Sequence, residues 1–148
     1  MIDKGPLIIV GVITYGHPDQ LNYGAIWNEQ FGPLEDEIKP FSLDQAFYGA
    51  WLFDPDGAQA YLAGMAVSGN SVVPEGCVMR ELRGAKYVIF PCSISEITAT
   101  YNEIYEHWLP ESSYEFDTGA SDFEFYPPQP GTPAIFIPVK IRPPMVMR

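Results

Sequence analysis

Basic residues are scarce in this sequence: eight Lys and Arg stand against nineteen Asp and Glu, for a formal net charge of -11. A protein that grips phosphates needs clustered basic side chains, and no such cluster stands out along the chain, so direct binding of DNA or RNA is not expected. Cysteine is scarcer still. Cys77 and Cys92 lie fifteen positions apart (92 − 77 = 15), which fits no zinc or thioredoxin-type motif and reads as two buried thiols of a reducing cytosol. No apolar run reaches the roughly 18 residues of a membrane span. The opening Met1-Ile2-Asp3-Lys4-Gly5-Pro6 has none of the regions of a signal peptide, and the expected location is the cytoplasm. Also missing are a glycine-rich phosphate loop and a catalytic His with Ser or Cys at a recognisable spacing. His17, between Gly16 and Pro18, reads as a turn residue, and His107 falls on the exposed side of a helix. Neither a metal nor a cofactor is expected.

Apolar side chains, in contrast, are plentiful. Hydrophobic residues make up 47% of the 148, which excludes disorder and suits one domain over residues 1–148. Aromatics alone account for 14%, more than a core of this size needs, so some of that surface is available to line a cavity.

The pattern along the chain repeats. Leu7 to Tyr15 reads as a strand. Apolar residues at Tyr23, Ile26, Trp27, Phe31, Leu34 and Ile38 then mark a helix, which Gly32-Pro33 kinks or divides. Phe47 to Phe53 and Ala60 to Val67 are strands joined through the turn signal Asp54-Pro55-Asp56-Gly57. After a short strand at Val78 to Leu82 the order recurs. Lys86 to Phe90 is a strand, Ser93-Ile94-Ser95-Glu96 has capping-box spacing, and Ile94, Ile97, Tyr101, Ile104, Tyr105 and Trp108 mark a helix face. A short extended piece at Tyr114 to Phe116 leads to a hairpin of Asp122 to Tyr126 with Ala134 to Lys140. Ile9 and Ile26 align with Tyr87 and Ile104 at an offset of 78 (87 − 9; 104 − 26), Phe47 with Phe123 at 76, and Tyr61 with Ile135 at 74. Two strand-helix-strand-strand halves, about 1–75 and 76–148, predict an α+β fold. They would share an antiparallel sheet about a pseudo-two-fold axis, with both helices on one side and a central groove.

One residue stands out in this frame. Glu124 sits between Phe123 and Phe125 in a strand, where acidic residues are depleted. Side chains alternate along a strand, so Glu124 shares a face with Asp122 and Tyr126. The alignment of Phe47 with Phe123 predicts that Tyr48 faces Glu124 across the axis. Taken alone, Glu124 reads as plain strand surface rather than as a binding group, because antiparallel sheets often have one wet face. Trp27 and Trp108 lie on the buried stripes of their helices, where core and ligand roles remain equally open; Trp51 and Tyr61 read as core.

The ordered set "VPEGCVMRELRGAKYVIFPCSISEITATYNEIYEHWLPESSYEF", "DFEFY" and "AIFIPVK", with "AIWNEQF" and "YGAW" in the first half, resembles the gyrase-inhibitor-like (GyrI-like) effector-binding domain. Such domains occur alone or fused to helix-turn-helix regulators of the AraC and MerR classes. The resemblance implies a duplicated βαββ fold with a central pocket for small molecules, often lipophilic cations. It places the pocket acid on Glu124 and aromatic lining on Trp27, Tyr48 and Tyr126, with Tyr105 and Trp108 as further candidates. It also implies a stand-alone binder that senses or sequesters its compound. A hydrolase of strained, cyclopropane-bearing compounds is the alternative, with Glu124 as general base and otherwise no catalytic residue. A further alternative is an interaction protein with a regulator or gyrase as partner.

Overall fold

Val10 and Val12 point to one side of their strand and Ile9 to the other, and all three are buried, so this strand has no wet face. In the computed structural model, which describes residues 1–143, it is the second of nine strands found among the described residues. These are β1 (Ile2–Lys4), β2 (Leu7–Tyr15), β3 (Phe47–Phe53), β4 (Gln59–Ala66), β5 (Val78–Leu82), β6 (Ala85–Pro91), β7 (Tyr114–Phe116), β8 (Phe123–Tyr126) and β9 (Ala134–Ile141). They form one antiparallel sheet in the order β1-β6-β9-β8-β3-β4-β2-β5, with β7 pairing to β9. From the centre outward, β3-β4-β2 on one side repeats as β8-β9-β6 on the other. The duplicated fold and its pseudo-two-fold axis, between β3 and β8, are therefore present. β1 and β5 extend the two ends and have no counterpart in the predicted four-element unit; β1 was not foreseen.

Both helical segments lie on the same face of the sheet. In the first, residues 23–41, Ile26, Phe31 and Ile38 pack on Val10, Val12, Ala63 and Met65. In the second, residues 94–111, Ile104 and Leu109 pack on Ile135, Ile137 and Val139. Neither segment is a regular α-helix. Gly32–Leu34 forms a 3₁₀ turn at the expected Gly-Pro break, and the chain stays helical beyond it. Each segment also contains a π-helical stretch, Ile26–Phe31 and Ile104–Trp108, whose starts are 78 residues apart (104 − 26). Such widened turns add a residue per turn and re-aim side chains. Ser93 precedes the second segment as expected, but its hydroxyl donates to the Glu96 carboxylate at 2.6 Å, not completing the full reciprocal capping box.

Among the described residues, no helix covers the opposite face. There the sheet curls around its own side chains: Ile9, Tyr48, Leu62, Tyr87 and Phe123 are buried against one another. Phe123 and Phe136 are direct cross-strand partners of β8 and β9 and stack with centroids 4.7 Å apart. Cys77 and Cys92 are free thiols and half-buried, less enclosed than expected because both sit at the ends of loops.

Phe123→Ala would open a void on this face at a ring that is 1% exposed. Urea denaturation is expected to report a loss of about 3–5 kcal/mol, the usual range for a buried Phe truncated to Ala.

Candidate functional site

Glu124 lies on the helix-covered face of β8, next to the pseudo-two-fold axis. Its cross-strand partner in β3 is Gly49. A methyl group at position 49 would fall on the Tyr61 hydroxyl and 2.8 Å from Glu124 Oε1, so only glycine leaves room for the carboxylate there. Glu124 is 4% exposed. Three phenols converge on it: Tyr61 donates to Oε1 at 2.7 Å, Tyr126 to Oε1 at 3.1 Å, and Tyr101 to Oε2 at 2.7 Å. Trp27 Nε1 in turn donates to the Tyr61 oxygen at 3.2 Å, which fixes the direction in which that hydroxyl gives its proton.

Two residues earlier, Asp122 continues the same face; its carbonyl accepts the Trp51 amide at 3.2 Å, extending the β3–β8 ladder by one step. The Asp122 carboxylate, 7% exposed, accepts a 2.6 Å bond from the Tyr105 hydroxyl. Both acids border a cavity of about 1250 Å³ between the two helical segments. Tyr23, Trp27 and Trp51 line its first-half side, and Tyr101, Tyr105 and Phe116 its second-half side. Among the described residues, no Lys, Arg or His lines the cavity and no ion pair involves either acid.

Neutral donors therefore carry the whole task of compensating two buried carboxylates. Burial pushes the Glu124 carboxyl up to about 7; the bonds from Tyr61, Tyr101 and Tyr126 pull against that rise, while the Asp122 charge adds to it. Burial likewise raises Asp122 to about 6, opposed by Tyr105. The phenols respond in kind. Tyr61 and Tyr101 are held well above the ordinary range, by burial first and then by the Glu124 charge, and Tyr23 is pushed up to about 12 by the same two causes. All three stay protonated, as donors, at any physiological pH.

Of the six residues expected at a binding site, the cavity brings together four: Glu124, Trp27, Tyr126 and Tyr105. Tyr48 is not among them. It pairs with Phe125, so it lies on the opposite face of the sheet, buried against Phe123 and bonded to Asp44 at 2.6 Å. The halves were aligned one residue out of register across β3 and β8, and a slip of one residue reverses every side chain. Trp108 packs instead on Phe90, with centroids 4.9 Å apart, in the second-half core. Tyr61 and Trp51, expected as core, contribute to the cavity as well. Tyr23 and Tyr101 were missed, although the same offset of 78 that links Ile26 to Ile104 links them (101 − 23). Trp27 and Tyr105, each the second residue of its π-helical stretch, are also matched at that offset. His17 and His107 are exposed and lie outside the cavity lining. No group of three potential metal ligands occurs among the described residues, and no helix there is long and apolar enough to cross a membrane.

A curled antiparallel sheet with two helical segments over one face, enclosing an aromatic cavity between duplicated halves, defines a small-molecule binding domain. The chain belongs to the GyrI-like small molecule binding domain family, whose model matches residues 1–140. Among curated proteins it is 30% identical over 128 residues to the transcriptional regulator BrlR of Pseudomonas aeruginosa. That match covers 85% of this chain and 47% of BrlR, so the chain spans about half the length of that relative. Among solved structures it is similar to SAV2435, determined bound to tetraphenylphosphonium, with a TM-score of 0.78, 16% identity and 94% and 92% of the two chains covered. It is also similar to the EcmrR C-terminal domain, with a TM-score of 0.61, 12% identity and 95% of each chain covered.

The two raised carboxyl groups make stability depend on pH. Their folded-state values lie above the ordinary 4.5 and 3.8, so the folded protein holds protons that the unfolded chain releases. Their contribution to stability is fully present below those ordinary values and is lost as pH rises through about 6 to 7. The ligand-free melting temperature is therefore expected to fall between about pH 5 and about pH 8. Glu124→Gln, which cannot ionise, should flatten that fall when followed by calorimetry.

Proposed function

We propose that this domain captures lipophilic organic cations, with Glu124 as the counter-charge and the surrounding rings as the walls, and that it senses or sequesters them in the cytoplasm. The observation that carries this reading is a 4%-exposed carboxylate in an aromatic cavity, with no cationic partner among the described residues. Such a group is costly to keep ionised out of water, and an entering cation offsets that cost as a neutral analogue cannot. Aromatic faces add about 0.5–2 kcal/mol each to a cation seated over them. The tetraphenylphosphonium in SAV2435 is a ligand of this chemical class on a shared fold. In such a design the phenols serve two states: they hold the carboxylate when the pocket is vacant and orient it when a cation arrives.

A second reading rests on the acid–base properties of the same group. A carboxyl raised to about 7 is matched to proton transfer at neutral pH, and three phenol hydroxyls lie at its oxygens. That combination suits a hydrolase of strained electrophiles with Glu124 as general base.

Tetraphenylphosphonium is expected to raise the melting temperature, as any ligand selective for the native state does. Glu124→Gln should weaken binding by about 1.5–3 kcal/mol in isothermal titration calorimetry, the scale of a hydrogen bond or contact to a charged group. Wild-type affinity should also decline as pH falls below about 7, because the cation must then displace the Glu124 proton. Binding that is indifferent to both changes would remove Glu124 from the site. Incubation with cyclopropane-bearing compounds, followed by mass spectrometry, should return them unchanged; turnover that Glu124→Gln abolishes would favour the hydrolase.

A further inference from the structure

Resting on the reading of this cavity as a cation site, we propose that it is built for a dication, with Glu124 taking one positive end and Asp122 the other. The two acids are separated by one residue on the same strand face, which sets their backbone positions about 7 Å apart. They do not share a single shell of donors. Tyr61, Tyr101 and Tyr126 serve Glu124, whereas the Tyr105 hydroxyl serves Asp122.

The rings divide in the same way. Trp27, Tyr61 and Tyr126 stand around Glu124, with Trp27 edge-on to both tyrosines at centroid distances of 6.4 and 5.9 Å. Tyr105, with Phe116 tilted against it at 6.2 Å, stands at Asp122, and Tyr101 links the two regions, bonded to Glu124 and parallel to Tyr105 at 6.2 Å. The cavity is large enough for both ends of an elongated ligand at once.

An ordinary structural aspartate explains Asp122 poorly. It is 7% exposed, has no cationic neighbour in the cavity lining, and stands beside a second buried acid that repels it. A monocation on Glu124 leaves Asp122 buried with neutral donors alone, the Tyr105 hydroxyl and a backbone amide. A ligand with two separated positive charges relieves both acids, and its two charges then report on two residues that can be changed separately.

The test uses two flat cations of nearly the same shape. Methyl viologen carries two ring charges separated by a rigid biaryl axis, and N-methyl-4-phenylpyridinium carries one. Titration calorimetry at about pH 8, where the carboxylates are ionised, and at physiological ionic strength, which screens the acidic surface, should show that wild type prefers the dication by about tenfold or more. Asp122→Asn should bring methyl viologen down towards the level of the monocation, and Glu124→Gln should weaken both. Equal wild-type affinities, or a preference that survives Asp122→Asn, would overturn the dication assignment while leaving the cation site intact. Failure of both compounds and of tetraphenylphosphonium to bind would overturn the cation reading itself. Circular dichroism checks that each variant folds, and the wild-type ratio decides the matter should Asp122→Asn not fold.

Discussion

A carboxylate held away from water by three phenol hydroxyls is the constraint on which the central architecture turns. Glu124 can occupy the axis between β3 and β8 only because Gly49 opposite it has no side chain and because Tyr61, Tyr101 and Tyr126 reach it from three directions. These donors come from different parts of the chain. Tyr61 is on β4, Tyr126 on β8, and Tyr101 on the second helical segment. The hydrogen-bond network therefore ties both halves of the duplicated fold to a single point. Removing any one donor leaves a buried acceptor short of a partner, which costs more than the net gain from forming the bond in the first place.

The two faces of the sheet divide the labour. The face that curls on itself packs Phe123, Phe136, Tyr87 and Tyr48 into a core of strand side chains, with no helix over it among the described residues. The other face supports the helical segments at its two ends, packed on Val10, Met65, Ile135 and Ile137, and leaves the middle open. The cavity is thus a consequence of duplication. Each helical segment covers its own half, and the space over the junction belongs to neither. The matched π-helical stretches place Trp27 and Tyr105 as corresponding residues on the two sides of that space.

Much of this was legible in the sequence. The recurrence of Tyr23, Ile26, Trp27, Phe31, Leu34 and Ile38 at spacings near 3.6 located the first helical segment, and the alternation around Phe123 and Phe125 located the face on which Glu124, Asp122 and Tyr126 stand together. What the pattern could not deliver was the register between β3 and β8. Loop insertions shift the offset between the halves, the match of Phe47 with Phe123 placed it one position out, and that error sent Tyr48 to the wrong side of the sheet. Tyr61 was hidden for another reason. A tyrosine in a continuous apolar run looks like core, and it is core by burial, yet its hydroxyl is the group that meets Glu124. Trp108 shows the converse, an aromatic on a helix stripe that packs beside Phe90 and Tyr114, away from the cavity lining.

The central claim is that Glu124 is a desolvated acid whose ionisation is completed by a cationic ligand. Its carboxyl carbon, labelled with ¹³C and followed by NMR across pH, reports that ionisation directly. The account predicts a midpoint near 7 in the ligand-free protein and a marked fall once tetraphenylphosphonium is bound. A midpoint near the ordinary 4.5, unmoved by the cation, would contradict it.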